Sequence, residues 1–249
     1  MHEREIPLDQ FRSAYLRPFG ISTEDSQERK ALQTLLAWAD LTTARIVNRP
    51  AASLLNNSKP LQGQWIRSFG LRIPETLVTT DPEVAREFTR RHGEVVYKSI
   101  SGVRSIVRRL GKDRYAQLDD VANCPTQFQR YIPGDDLRVH VMGETVHTLR
   151  IQSDCDDYRY AARTGGHVTA SEIDLDPGTT ESLRIIVRQM GLWVAGVDLR
   201  RTPAGEMYCL EINPSPGFTF YEQLAGVSLA GEIAALLIQG GKRELSDPR

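Results

Sequence analysis

The chain has 249 residues, 40% hydrophobic and 25% charged, with a formal net charge of −1. Those fractions are ordinary for a soluble globular protein, and the length allows one large domain or two small ones. A balance so near zero gives no electrostatic reason for nucleic acid or an acidic membrane as a partner.

The start, MHEREIPLDQF, is charged within five residues and has no apolar h-region, so it does not read as a secretory signal. Residues 1–27 are weakly patterned, with Pro7, Pro18 and Gly20 as breakers, and read as an arm. From Glu28, Leu32, Leu35, Leu36 and Ala39 recur at helical spacing. IVNRP ends that helix, and Pro50 opens a short one. KPLQGQWIRSFGL predicts a helix whose apolar positions are Leu61, Trp65, Ile66 and Phe69, closed by Gly70. RIPETLVTT is a short strand. DPEVAREFTRRHG is a helix with Asp81 as N-cap, and EVVYKSI is a buried strand.

PTQFQRYI predicts a strand running into a PGDD turn, with a lobe boundary near residues 128–134. LRVHVMGETVHTLRIQ reads as two strands joined at Met142-Gly143-Glu144. TTESLRIIVRQMGL is a helix, WVAGVDLRRTPAGEMYCLEIN a hairpin about Pro203-Ala204-Gly205, and VSLAGEIAALLIQGG a closing helix before a nine-residue tail. No uncharged apolar run reaches the length of a membrane span. Cys124, Cys155 and Cys209 are odd in number, far apart and without a C-x-x-C pair. That argues against a disulfide scaffold or zinc site and for a reducing compartment, hence a cytoplasmic location. The class is α+β.

The hairpin carries the first chemistry. Side chains alternate along a strand, so Glu211 and Asn213 share one side, with Leu210 and Ile212 on the other. If Asp198 lies opposite Glu211, three oxygen donors converge. Facing carboxylates repel unless a cation lies between them, and hard oxygens without His or Cys suit Mg²⁺ or Mn²⁺. The bland alternative is one solvated strand face. Lys98 ends an apolar strand before the small-residue turn SISGVRS, where backbone amides can approach phosphate. Eight Lys or Arg lie between Arg90 and Arg114, against only Glu94 and Asp113. Only Tyr97 and Tyr115 interleave as stacking aromatics, so the stretch fits polyphosphate better than nucleic acid. His2, His92, His140, His147 and His167 form no ligand spacing.

With these residues in view, the chain resembles the ATP-grasp ligases, especially the RimK-like carboxylate–amine ligases. The likeness is carried, in order, by NNSKPLQGQWIRSFGLRIPETLVTT, EVVYKSISG, QFQRYIPGDDLRVHVMG, DYRYAARTGG, GVDLR and CLEINPSPGF, from about Asn48 to Glu222. It implies two α+β lobes with ATP between them: an arm and helix over 1–47, a small lobe over 48–130 and a large lobe over 131–249. It implies that Asp198, Glu211 and Asn213 hold Mg²⁺ and that Lys59 and Lys98 reach phosphates. Backbone groups of Gln129, Arg130, Tyr131 and Ile132 would read the adenine edge, with Leu210 beneath the ring and Asp136 near the ribose. Arg138 and Arg159 would meet the transferred phosphoryl or the substrate carboxylate. The implied activity is amide formation on an amino acid or peptide, including the peptide-crosslinking graspetide synthetases. The rival reading is a non-catalytic nucleotide-binding grasp module that regulates or scaffolds a partner. SISGVRS has a single glycine where relatives are richer, so its grip on phosphate is expected to be either looser or supplied by side chains such as Ser101 and Ser105. Relatives carry a fuller pre-grasp domain than the 47 residues before Asn48. A second copy or a partner protein is therefore expected to complete the acceptor site.

Overall fold

Two antiparallel sheets face each other across a cleft. The computed structural model describes residues 7–18, 26–100, 107–154, 158 and 166–240. Residues 101–105 of SISGVRS, Arg159 and the tail fall outside them. Strands β3 (Thr76–Thr79), β4 (Val95–Ser99), β5 (Arg108–Arg109) and β6 (Thr126–Arg130) form a four-stranded sheet in the order β3-β6-β4-β5. Strands β7 (Asp135–Met142), β8 (Thr145–Ser153), β9 (Val168–Ile173), β10 (Val194–Arg201) and β11 (Met207–Asn213) form the other, in the order β11-β10-β7-β8-β9.

Local chemistry sets the helices. In α4 (Pro82–His92), Asp81 accepts the Glu83 and Val84 N–H groups, and Arg90, Arg91 and His92 fill the last turn, which suits the helix dipole. Helix α6 (Pro177–Gln189) repeats the device, with Asp176 accepting Thr179 N–H at 2.8 Å. Helix α3 (Lys59–Ser68) begins with Lys59-Pro60 and is followed by Gly70 at φ 83°. Short helices α2 (Pro50–Ser53) and α5 (Lys112–Tyr115) precede α3 and the 3₁₀ segment Ala116–Asn123.

Each sheet buries one face. On the small sheet, Val95 and Phe128 pack with Ala85 of α4 and with Leu118 and Val121. Register then leaves Lys98 beside Gln127 and Val96 beside Gln129 on the cleft side. On the large sheet, Leu137, Val139 and Val141 pack with Ala195, Val197 and Leu199 against Leu183, Ile186 and Val187 of α6 and Ile66 of α3. Its other face is apolar at one end, where Met142, Val194 and Leu149 meet α7 (Thr219–Ala225) and α8 (Leu229–Ile238). Farther along, the same face carries Arg138, Asp198, Asp136 and Arg200 in paired register.

Two expectations change. Asp198 does pair with Glu211, but Leu199 pairs with Cys209, so Leu210 is the extra residue of a β-bulge. The bulge resets the alternation: Cys209 and Ile212 both enter the core, while Leu210 turns to the cleft beside Glu211 rather than away with Ile212. The N-terminal arm is also ordered in part. β1 (Ser13–Tyr15) pairs in parallel with β2 (Arg45–Val47), the two framing α1 (Ser26–Leu41). Three-residue strands carry no readable period, and their partners are tertiary: Ser13 Oγ donates to Leu237 O and Arg45 to Leu236 O. Arg49 then gathers the carbonyls of Ala39, Asp40, Thr42 and Ala44, closing the α1 C-terminus with a buried cation. The sequence reading also passed over β9 and α7. Among the described residues no helix is long and apolar enough to cross a membrane.

Candidate active site

The cleft between the sheets holds a cavity of about 400 Å³. Val96, Lys98 and Gln129 line it from the small sheet, and Asp136, Asp198, Leu210 and Glu211 from the large one. The connection Arg130-Tyr131-Ile132 closes one end. Gly134 allows that turn. At φ 147°, a Cβ there would lie 2.0 Å from the Arg201 carbonyl oxygen.

Along β10 the charged face runs Arg200, Asp198, Gly196, one side chain about every 7 Å. Arg200 pairs with Asp136 at 3.0 Å, and Asp198 with Arg138 at 2.7 Å. Gly196 makes room for Arg138, since a Cβ at 196 would fall 2.1 Å from its Nη2. The Arg138 guanidinium also lies 5.1 Å from the centre of the Tyr221 ring. Burial pulls its pKa down, but Asp198, Tyr221 and Tyr158 push it up by more, and it stays a cation. Tyr158 shares a 3.1 Å hydrogen bond with the Tyr221 hydroxyl, and burial raises its pKa. His140, two residues along β7, contacts Gly217 O at 3.3 Å. Burial and the Arg138 charge push it down to about 3, so it is neutral.

The second carboxylate, Glu211, has its own cation: Lys59 Nζ lies 3.5 Å from Oε2, with both side chains largely buried. That contact is fixed one turn along α3. Gln62 donates to Ile212 O at 2.7 Å and accepts Ile212 N–H at 3.0 Å, locking the helix to β11. Asn213 stands opposite Gly196, and its Oδ1 accepts Ser215 N–H at 2.9 Å. Asn48 secures the same end, donating to Val194 O and Pro214 O.

Of the residues singled out by sequence, Lys98, Gln129, Arg130, Tyr131, Ile132, Asp136, Asp198, Leu210 and Glu211 line the cavity. Arg138 braces Asp198 beneath it, and Lys59 with Lys98 lines an adjoining chamber of about 310 Å³. Arg130 turns aside, donating to the Tyr208 hydroxyl at 3.2 Å. Sequence reasoning missed Gly196, Tyr221, Gln62 and Arg109, whose guanidinium lies 3.9 Å from the centre of the Tyr131 ring. Gln62 alone left a trace, an amide one turn after Lys59 on a helix otherwise packed by apolar residues.

Asp198, Glu211 and Asn213 offer hard oxygens only. Among the described residues no group of three or more His, Cys, Asp or Glu forms a metal cluster. Two carboxylates and an amide fit a Mg²⁺ that takes its remaining oxygens from phosphate and water.

Comparisons with known proteins identify the family. The RimK-like ATP-grasp domain family matches residues 54–237. A probable alpha-L-glutamate ligase of Alkalilimnicola ehrlichii is 36% identical over 208 residues, covering 79% of this chain and 68% of that protein. The ATP-grasp ligase PsnB, solved with a minimal precursor, superposes with a TM-score of 0.78 at 27% identity, over 91% of this chain and 78% of PsnB. A second PsnB structure, with Mg and ADP as well, gives 0.71 at 28%, over 91% and 77%. The macrocyclase MdnC of Microcystis aeruginosa, bound to its precursor peptide, gives 0.74 at 25%, over 91% and 78%. The chain therefore belongs to the RimK-like ATP-grasp family and is an ATP-dependent ligase of its carboxylate–amine class.

Proposed function

We propose that this protein activates a carboxylate of an amino acid or peptide as an acyl phosphate and passes it to an amine, as a cytoplasmic enzyme. The observation that carries the reading is the facing pair Asp198 and Glu211, each held by its own buried cation at the floor of a nucleotide-sized cleft. Convergent carboxylates have no purpose in a module that only binds adenosine.

ATP lies with its base against Gln129–Ile132 and Leu210, its ribose toward Asp136 and its phosphates toward Lys98 and Lys59. The Arg130 and Tyr131 N–H groups are committed to the Glu75 and Glu94 carbonyls, so the base is read by the other backbone groups of that segment. Asp198, Glu211 and Asn213 would hold Mg²⁺ or Mn²⁺, which when bound neutralises charge on the transferring phosphoryl group. Lys59 exchanges Glu211 for phosphate as nucleotide enters. Arg138, and Arg159 with it, orient the oxyanions of the phosphoryl group and the substrate carboxylate. The carboxylate oxygen attacks the terminal phosphorus and ADP leaves. The amine nitrogen attacks the acyl carbon, phosphate departs, and the nitrogen loses a proton to give the amide. No protein nucleophile takes part; positioning and charge neutralisation lower the barrier. A second copy of the chain, or a partner protein, covers the exposed side of α1.

Hydroxylamine replaces the amine in the test. With ATP, Mg²⁺ and a carboxylate substrate, hydroxamate and ADP should form in equal amounts. Glu211→Gln should lower the rate by roughly 10³-fold in a folded protein. Unchanged turnover in that variant would remove the metal assignment, and ADP without hydroxamate would remove the acyl phosphate.

A further inference from the structure

Tyr158 stands in DYRYAARTGG, next to Arg159, and has no part in the steps above. Its two ends meet different surroundings. The ring packs at the apolar end of the large sheet, with Leu149, Ile151 and Tyr221 of α7. The hydroxyl shares a 3.1 Å hydrogen bond with that of Tyr221, and the two rings meet edge to face at 6.5 Å. Tyr158 also lines the cleft cavity, together with Gln152 and Ser153 of β8 and Asp198 of β10. A phenol so placed has an apolar body and a polar tip at the reacting floor.

Tyr221 ties that tip to the charged face. Its ring centre lies 5.1 Å from the Arg138 guanidinium, and Arg138 Nη1 donates to Asp198 Oδ1 at 2.7 Å. Arg138 Nε is buried and has no hydrogen-bond partner among the described residues, so it keeps a donor for an incoming oxygen. The lysines and Arg138 balance charge that is present throughout the reaction. An acyl oxygen, by contrast, becomes charged only when the amine adds to the activated carbonyl. A neutral donor holds that oxygen weakly beforehand and strongly at that moment. Burial and the Asp198 charge keep the phenol protonated, so it remains a donor at neutral pH.

We infer that Tyr158 is a further catalytic residue, the hydrogen-bond donor to the acyl oxygen of the activated substrate. Tyr221 donates to Tyr158 Oη, which leaves the Tyr158 proton to face the substrate. As the amine nitrogen bonds to the acyl carbon, the carbonyl π pair moves onto this oxygen. Tyr158 donates to the oxyanion and keeps its proton. The pair then re-forms the carbonyl, the acyl carbon–oxygen bond to phosphate breaks with its electrons leaving on phosphate, and the nitrogen releases its proton to solvent. Tyr221 acts through Tyr158 and is a positioning residue. This rests on the ligase reading above and serves its second step.

The two steps can be timed separately on the full chain with Mg²⁺. ATP carrying heavy oxygen in its β,γ bridge reports the first, because reversible phosphoryl transfer scrambles the label. Hydroxamate formed on adding hydroxylamine reports the second. The carboxylate supplied is a pool of the L-amino acids with the N-acetyl α-amides of Asp and Glu, which stand for peptide side chains. Tyr158→Phe should keep label exchange within about threefold and lower the hydroxamate kcat by about 100-fold, with KM for hydroxylamine little changed. Tyr221→Phe keeps its ring on Arg138 and should lower the hydroxamate kcat by about tenfold. Hydroxamate formed at the unaltered rate by Tyr158→Phe overturns the inference, and so do exchange and hydroxamate falling together, the mark of a merely structural role. No exchange in the unaltered protein removes the acyl phosphate itself, and the inference with it.

Discussion

The two sheets that bound the cleft solve different problems. The small sheet turns amides, a hydroxyl and one buried lysine inward: Gln127, Gln129, Thr76 and Lys98. The large sheet presents fixed charge, with every carboxylate on its floor matched to an arginine or lysine. Neutral donors and acceptors can read a base without strong orientation, whereas charge beneath a phosphoryl group must be placed and braced. Accordingly Arg138 has a supporting cast of Gly196, Tyr221 and Tyr158, whereas Gln129 is held by a neutral contact, its amide donating to the Thr76 hydroxyl at 3.1 Å.

That contrast makes the large sheet the less tolerant. Gly196→Ala should displace the Arg138 guanidinium, which is buried and cannot yield cheaply. Turnover should fall by about 100-fold with nucleotide affinity little changed. A fully active, stable Gly196→Ala enzyme would show that Arg138 is not positioned by this cradle.

On the small sheet, Lys98→Met should weaken ATP by about tenfold and adenosine much less, the result expected of a lysine that meets phosphate rather than base. Equal losses in calorimetry would place Lys98 at the base and blur the division between the sheets.

His140 offers a third probe. Its pKa is depressed to about 3, so between that value and 6.5 the unfolded chain binds a proton that the native state refuses. Stability therefore falls as pH drops below about 6.5, by about 1 kcal/mol between pH 7 and 5.5. Thermal melts of the native protein and His140→Gln should differ in slope over that window. Parallel slopes would mean that the site tolerates a charged imidazole.

The smallest effect concerns α1, where Leu41 is 85% exposed while Trp38 is half-buried against Phe11. A partner surface there should bury at least ~1,000 Å². Ultracentrifugation should show a dimer, or a monomer that needs a second protein for full activity.

How far the sequence revealed this site depended on range. Asp198 and Glu211 could be paired because a short turn at Pro203–Gly205 fixes the hairpin within a few residues. The bulge at Leu210 has no mark in the chain, as nothing local distinguishes an extra residue from a regular one. Arg138 could be singled out only by resemblance. Gly196 and Tyr221 became meaningful only after β7, β10 and α7 were brought together. The arm escaped because its two short strands owe their order to Leu236, Leu237 and Pro216, roughly two hundred residues away.

The Gln62 clasp has a consequence outside catalysis. β11 is an edge strand, and such an edge invites another chain to extend the sheet. Gln62 engages both backbone groups of Ile212 as a neighbouring peptide unit would, and Arg72 O takes the Cys209 N–H at 2.8 Å. The rim nearest Asp198 and Glu211 is thereby sealed against β-augmentation. An extended peptide brought to this rim would find no open edge to join as a sixth strand.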